Sequence, residues 1–379
     1  MAYAHKTILE YITSDTDKIF IPSKKIDDKL SKMLIIIPDL ELTGSLTALM
    51  DLLLIFQRKG FALYVLSSEE GKFCQKLTVM GCIVFIRPCV VCNNPYRCFL
   101  QEAFDLVFLN TSSCFYYAYF FINCSKKVFW WFHETKAQMD SMPSEFLNLS
   151  LLSDNFTLFG VTKPVVDGIK ERYGIDIELL PMPITDICHV TENKTYKKVL
   201  FFMPAAYSYI KGQDILLQAI IQLPSAYLER AKFVFCGYQL PGQKEYYNKI
   251  KNIALQIPSV VFLDEIERNE VYDWYSQCDC VIAPSRVDAT PTTIVEAMMH
   301  RKLCIVSDAA GISSYMMDCV NGFIFATENI HDLMKRILLV IDSVKDLTPI
   351  AQAGRKIYQD NFSMEAVTER INQYLSSLE

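Results

Sequence analysis

The chain has 379 residues, 51% hydrophobic and 21% charged, with 24 Phe and 20 Tyr, which suits two domains of ordinary size and excludes a disordered chain. Its net charge of −6 is shared by both halves, which argues against a nucleic-acid partner, because such proteins concentrate basic charge on one face. Thirteen scattered cysteines, odd in number, do not read as a disulfide framework, and Cys89-x-x-Cys92 with Cys98 lacks the second pair that a zinc site needs.

The first six residues show no signal-peptide pattern. The longest apolar run, 114–124, is too short and too aromatic to span a bilayer. Both features set the expectation of a cytoplasmic protein. Residues 1–32 are expected to form an N-terminal helical appendage, with Asp15-Thr-Asp17 as a polar turn. Short runs that are apolar throughout then recur at 33–38, 62–67, 82–87, 106–110 and 128–133, with a helix over 45–60. Strands without alternation belong to sheets covered on both faces, so residues 33–185 are predicted to form a doubly wound α/β domain. The aromatic run 115–121 fits that core, and its neighbours Lys126-Lys127 leave peripheral membrane contact open.

The pattern restarts after the proline-rich stretch 180–184. Strands at 198–203, 232–236, 260–263, 280–283 and 303–307 alternate with helices, giving a second domain over 186–379, its last helix free to pack back on the first. Two such domains place a ligand in the crevice outside the carboxyl ends of the strands. The segment Pro284-Ser-Arg-Val-Asp-Ala-Thr-Pro-Thr-Thr-Ile-Val-Glu-Ala-Met298 follows one strand and opens a helix, with Thr290 as the expected N-cap and Pro291 at the first helical position. The N–H groups of Thr292 and Thr293 at such a start, with the helix dipole, favour an anionic phosphate. Asp288 and Glu296 flank that position. They fit either carboxylates gripping sugar hydroxyls or solvated acids on a capped helix.

This stretch resembles the E-x7-E signature of retaining glycosyltransferases of the GT-B fold, in the family 4 group (glycosyltransferase group 1), here as Asp288-x7-Glu296. In register, Cys304-Ile-Val-Ser-Asp-Ala-Ala-Gly311 and Asp318-Cys-Val-Asn-Gly-Phe-Ile-Phe325 are similar to the segments that follow in that family. The resemblance implies that Asp288 contacts the donor sugar and Glu296 the nucleotide ribose, with Pro291, Thr292 and Thr293 at the phosphate. Lys211-Gly212 resembles the family's diphosphate-binding Lys-Gly pair. Gly237, and Glu265 with Ile266, resemble the loops that approach the base. Gly44 and Ser45 match the small-residue loop of the first domain, and His133-Glu134 falls where the family places a histidine facing the reacting sugar. The family's arginine before the lysine is replaced by Ala205 and Ala206, which makes Arg286 the candidate second cation.

The resemblance implies transfer of a sugar from a nucleotide-diphosphate sugar to a sugar, lipid-linked or protein acceptor, in polysaccharide or glycoconjugate synthesis, at the inner face of a membrane or in the cytoplasm. His133, Lys211, Asp288 and Glu296 would carry the chemistry. With no carboxylate nucleophile evident, attack would come from the front face, and no metal or other cofactor is expected. A catalytically degraded nucleotide-sugar-binding or partner-binding module is the alternative. Its support is the missing arginine, Asp288 for Glu, the single Gly44, and Ser314 where the family often has Glu. A dinucleotide oxidoreductase would need a Gly-x-Gly-x-x-Gly turn, which the chain lacks.

Overall fold

The computed structural model describes residues 18–23, 26–27, 29–40, 44–86, 94–141, 152–188 and 197–376. The Asp15-Thr-Asp17 turn, Cys89 and Cys92 lie outside them. The chain divides into two compact units, residues 1–183 with 367–379, and residues 184–366.

The first unit contains, in chain order, β1 (Lys18–Phe20), β2 (Ser31–Ile37), β3 (Phe61–Ser67), β4 (Ile83–Ile86), β5 (Leu106–Asn110), β6 (Lys127–Phe132), β7 (Phe156–Gly160) and β8 (Glu178–Leu179). They pair in the order β1-β4-β3-β2-β5-β6-β7-β8, all parallel except β1, which runs antiparallel to β4. The central strand β2 is buried from Lys32 to Ile37, as a strand covered by helices on both faces must be. The strand β1 corrects the expected helical appendage over its three residues: Lys18, Ile19 and Phe20 pair with Ile86, Phe85 and Val84 along an edge that would otherwise leave backbone groups unpaired. The strands β7 and β8 are additional to those predicted, and β8 is too short to leave a periodic signal. Of the aromatic run 115–121, Tyr117, Ala118 and Phe121 are buried while Tyr116 is exposed.

The second unit contains β9 (Val199–Pro204), β10 (Ala231–Cys236), β11 (Val260–Leu263), β12 (Cys280–Ala283), β13 (Leu303–Ser307) and β14 (Phe323–Phe325). All are parallel, in the order β11-β10-β9-β12-β13-β14. Alternation along β9 shows how the sheet builds two cores. Phe201 and Met203 enter the cluster on one face, and Leu200 and Phe202 the cluster on the other.

The unit boundary falls two residues before the predicted one, for a local reason. The Ile184 N–H donates to the Phe362 carbonyl at 2.8 Å, and the buried Tyr358 hydroxyl donates to the Ile184 carbonyl at 2.8 Å. An ion pair between Asp186 and Arg355, whose guanidinium also donates to the Met299 carbonyl at 2.6 Å, holds the next turn of chain. The helix Met364–Leu375 belongs to the first unit from Val367 onward; there Tyr374 meets Phe159 edge-on at 4.9 Å, and its hydroxyl donates to Glu178 at 3.0 Å. No described helix is long and apolar enough to cross a membrane. The ten described cysteine side chains are free thiols.

Removing the Tyr358 hydroxyl leaves the Ile184 carbonyl without that donor, which costs about 1–3 kcal/mol. Tyr358→Phe should therefore lower the melting temperature by roughly 2–12 °C at about 2–4 °C per kcal/mol. An unchanged melting curve in differential scanning calorimetry would show that the anchor contributes nothing.

Candidate functional site

The central pair β9 and β12 is where strand order in the second sheet reverses, and the predicted site residues of this unit gather beyond the carboxyl ends there. Lys211 leaves the β9 side and Asp288 the β12 side. Lys211 Nζ donates to Asp288 Oδ2 at 2.5 Å, so the structure brings these two together as an ion pair, partly buried and shielded from solvent on the carboxylate side. Asp288 is fixed from its backbone as well, because its carbonyl accepts from the Gly311 N–H at 2.8 Å.

Arg286, the candidate second cation, is engaged by two acids. Its Nη1 and Nη2 donate to the two oxygens of Asp214 at 2.9 and 2.8 Å, its Nε to Glu328 at 2.7 Å, and its Nη1 also to the Tyr209 carbonyl at 2.7 Å. The plane lies over the Tyr209 ring, 3.7 Å from its centroid. These contacts engage the guanidinium fork, and through them Arg286 braces the Lys211 loop against the β12 exit. Burial alone would push the Asp214 carboxyl up, but hydrogen bonds from Arg286 and Tyr246 hold it below the ordinary carboxylate value. A backbone bond from the Arg286 N–H to the Ile210 carbonyl, 2.8 Å, adds to the brace.

Two glycines allow these loops to meet. Gly212 has φ +72°, and a Cβ there would overlap the Pro284 carbonyl oxygen. A Cβ on Gly237 would overlap the Ala205 carbonyl oxygen, so the close approach that Gly237 makes within this unit is to the β9 exit. Glu265 is exposed and Ile266 half-buried in the loop between β11 and the helix Arg268–Gln277. Tyr238, not singled out from sequence, lies close enough to feel both Lys211 and Glu265. Burial raises its hydroxyl pKa, the Lys211 ammonium opposes the rise and Glu265 adds to it.

The helix Thr292–Met299 starts one residue later than the predicted cap implied. Pro291 occupies the N-cap position, and the buried Thr290 hydroxyl makes no hydrogen bond to a described residue, so it does not cap. The first intrahelical bonds are Ile294 N–H and Val295 N–H to the Pro291 carbonyl, which leaves Thr292 and Thr293 N–H without intrahelical acceptors. Glu296 is buried and ion-paired with Arg268, the first residue of its helix. Burial works against charge on Arg268, and Glu296 overcomes it, holding the guanidinium protonated. Arg268 was missed from sequence because a partner 28 residues away leaves no local spacing signal. The segment from Asp318 folds as a turn into β14: Asp318 accepts from the Ile324 N–H at 2.9 Å and from Arg336 at 2.8 Å.

In the first unit, Gly44 and Ser45 open the helix Gly44–Arg58 after β2. His133 and Glu134 follow β6. The His133 Nε2 lies 3.1 Å from Asn110 Oδ1, and the Glu134 carboxylate accepts from the Ser112 N–H at 2.8 Å and the His133 N–H at 3.0 Å. Burial lowers the His133 pKa to about 3, so its ring is neutral. Among the described residues no three His, Cys, Asp or Glu side chains gather as a metal site.

Residues 187–357 match the family model described as Glycosyl transferases group 1. An uncharacterized glycosyltransferase of Methanocaldococcus jannaschii is 26% identical over 157 residues, 41% of this chain and 41% of the relative. A lipopolysaccharide 1,2-N-acetylglucosaminetransferase of Salmonella typhimurium is 26% identical over 173 residues, 44% and 45% of the two chains. The matched stretch thus spans less than half the length of these curated relatives. Among solved structures, a glycosyltransferase from Rickettsia africae superposes with a TM-score of 0.78 at 16% identity, covering 92% of this chain and 99% of that one. Anabaena HepE in complex with UDP and glucose gives 0.75 at 17%, covering 92% and 100%. At these identities the likeness shows the fold, which is GT-B: α/β, with two parallel-sheet units.

The brace is open to test. Arg286→Leu leaves Asp214 partly buried without its cation and should cost about 3 kcal/mol, roughly 6–12 °C in melting temperature. The folded pKa of Asp214 is depressed, so the pair's stabilisation is present above the unfolded value of about 3.9 and lost as pH falls through the folded one. The gap between wild type and Arg286→Leu should narrow below about pH 4. A gap that is constant with pH would contradict the assignment.

Proposed function

We propose that the chain is a retaining glycosyltransferase that moves a sugar from a nucleoside-diphosphate sugar to an acceptor hydroxyl without a metal ion. The observation that carries this reading is the Lys211–Asp288 pair at the strand-order reversal, beside a helix start whose Thr292 and Thr293 N–H groups lack intrahelical acceptors. Cation and N–H groups suit phosphate oxygens, and the carboxylate suits sugar hydroxyls. Solved neighbours in complex with UDP and with UDP-glucose support a uridine donor and a hexose. The relatives named for lipopolysaccharide and for a diphospho-undecaprenol acceptor support a role in glycoconjugate synthesis, with a lipid-linked acceptor at a membrane face.

The chemistry asked of the protein is charge stabilisation and orientation. As the bond from the anomeric carbon to the diphosphate oxygen breaks, the leaving group gains negative charge, which Lys211 and the helix start neutralise. The acceptor oxygen bonds to the anomeric carbon on the same face, and its proton passes to the departing phosphate oxygen. Lys211 leaves Asp288 for the diphosphate, which frees the carboxylate to orient donor-sugar hydroxyls. Glu296 orients the ribose; a carboxylate accepts at about four lone-pair positions, so its pairing with Arg268 and a ribose bond are compatible.

A thermal-shift series with UDP, GDP, ADP and their sugars tests the reading. The cognate nucleotide should stabilise wild type by about 2.7 kcal/mol at a hundredfold excess over Kd, and Lys211→Ala should lose most of that shift. Wild type should release nucleoside diphosphate slowly without acceptor, at a rate that a chelator leaves unchanged, and Glu296→Ala should abolish the release. No stabilisation by any nucleotide overturns the donor site; stabilisation without release at any pH moves the protein to a binding module.

A further inference from the structure

Beyond β5 and β6 the first unit buries polar chemistry that sheet formation does not require. Asn110, the last residue of β5, is fully buried, and its Oδ1 lies 3.1 Å from His133 Nε2. Glu134 takes the backbone N–H of Ser112 with one oxygen and that of His133 with the other, so a single buried carboxylate ties the two strand exits together. Trp131 meets the imidazole edge-on with centroids 4.2 Å apart. The ring is thereby fixed in place and direction.

His133 Nδ1 is buried and has no hydrogen-bond partner among the described residues, and the same holds for the hydroxyls of Thr111 and Ser112. Such an atom is costly to bury unless something else completes it. Thr111 adds strain, since a β-branched residue at φ +74° is a backbone outlier. Burial keeps the imidazole neutral, so it carries one ring proton, and the nitrogen without it is an acceptor.

We infer that Asn110 is a positioning residue: its amide oxygen accepts the His133 Nε2–H and so fixes the tautomer whose Nδ1 lone pair accepts a hydrogen bond from a hydroxyl of the sugar substrate. The ligand in this statement rests on the transferase reading, whereas the tautomer does not. An amide oxygen only accepts, and an imidazole that donates from Nε2 must accept at Nδ1. Asn110 thus converts a ring with two interchangeable nitrogens into a one-way acceptor for a neutral hydroxyl.

Long-range proton–nitrogen correlation spectra of the full chain labelled with 15N-histidine read the tautomer directly, with His133 assigned by the signal lost in His133→Gln. Wild type should show a protonated Nε2 and a bare Nδ1. Asn110→Asp, which keeps an acceptor oxygen, should retain that state, and Asn110→Ala should show a mixed or inverted tautomer. If Asn110→Ala fails to fold, the wild-type and Asn110→Asp spectra still decide. In kinetics, Asn110→Ala should lower kcat by up to about a hundredfold with donor KM changed by no more than about twofold, and Asn110→Asp should recover part of the loss. A wild-type ring protonated at Nδ1, or a tautomer unmoved in Asn110→Ala, overturns the inference even if nucleotides stabilise the protein. Absence of nucleotide binding sinks the transferase reading and leaves the spectra to judge Asn110.

Discussion

The fork that Arg286 presents to Asp214, with further bonds to Glu328 and the Tyr209 carbonyl, joins two loops that leave neighbouring parallel strands. Everything proposed for the second unit depends on that junction. The β9 exit carries Lys211 and the β12 exit carries Asp288. Without a brace the two exits would be independent loops, and loops at strand ends are the parts of a fold most free to drift. A guanidinium suits the task because it is planar, always charged and able to bind both oxygens of one carboxylate. The glycine at 212 complements it, since only a residue without Cβ lets the two backbones close to contact at Pro284.

The same economy recurs in the unit's other partly buried acids. Asp288 is matched by Lys211 and Glu296 by Arg268, each across a long stretch of sequence. Burying a carboxylate without a partner is costly, and a pair roughly breaks even against apolar packing. Such pairs are therefore weak evidence for stability. What they do secure is direction: each fixes a charged side chain at one point of the fold, and the Lys211–Asp288 pair does so beyond the strand ends.

The sheets were legible in the sequence because parallel strands covered on both faces appear as unbroken apolar runs, and ten such runs became β2 to β6 and β9 to β13. The two edge strands of the first sheet were not. Lys18–Phe20 and Glu178–Leu179 are short and partly exposed, and their pairing is decided by neighbours far along the chain. In the site, Lys211 and Asp288 were found through motif spacing, and the structure brings them together. For Arg286 a sequence shows that a cation is near but not which acids, here Asp214 and Glu328, engage it. Thr290 failed as a cap because Pro291 took the N-cap position, leaving the threonine hydroxyl buried behind the helix start. Arg268 and Asn110 left no signal at all, since each acts through a contact that only the fold creates.

The glycines at 212 and 237 have a further consequence for how ligand binding is shared between enthalpy and entropy. Both place main chain against main chain, at Pro284 and at Ala205. A contact of that kind has no rotamers to freeze. Where side chains line a site, each long one that becomes immobile on binding forfeits about 0.5–1.5 kcal/mol. Here the ordering was completed when the chain folded, at the larger backbone cost that glycine carries in the unfolded state. The floor of the second unit's site is thus already as ordered as a ligand could make it.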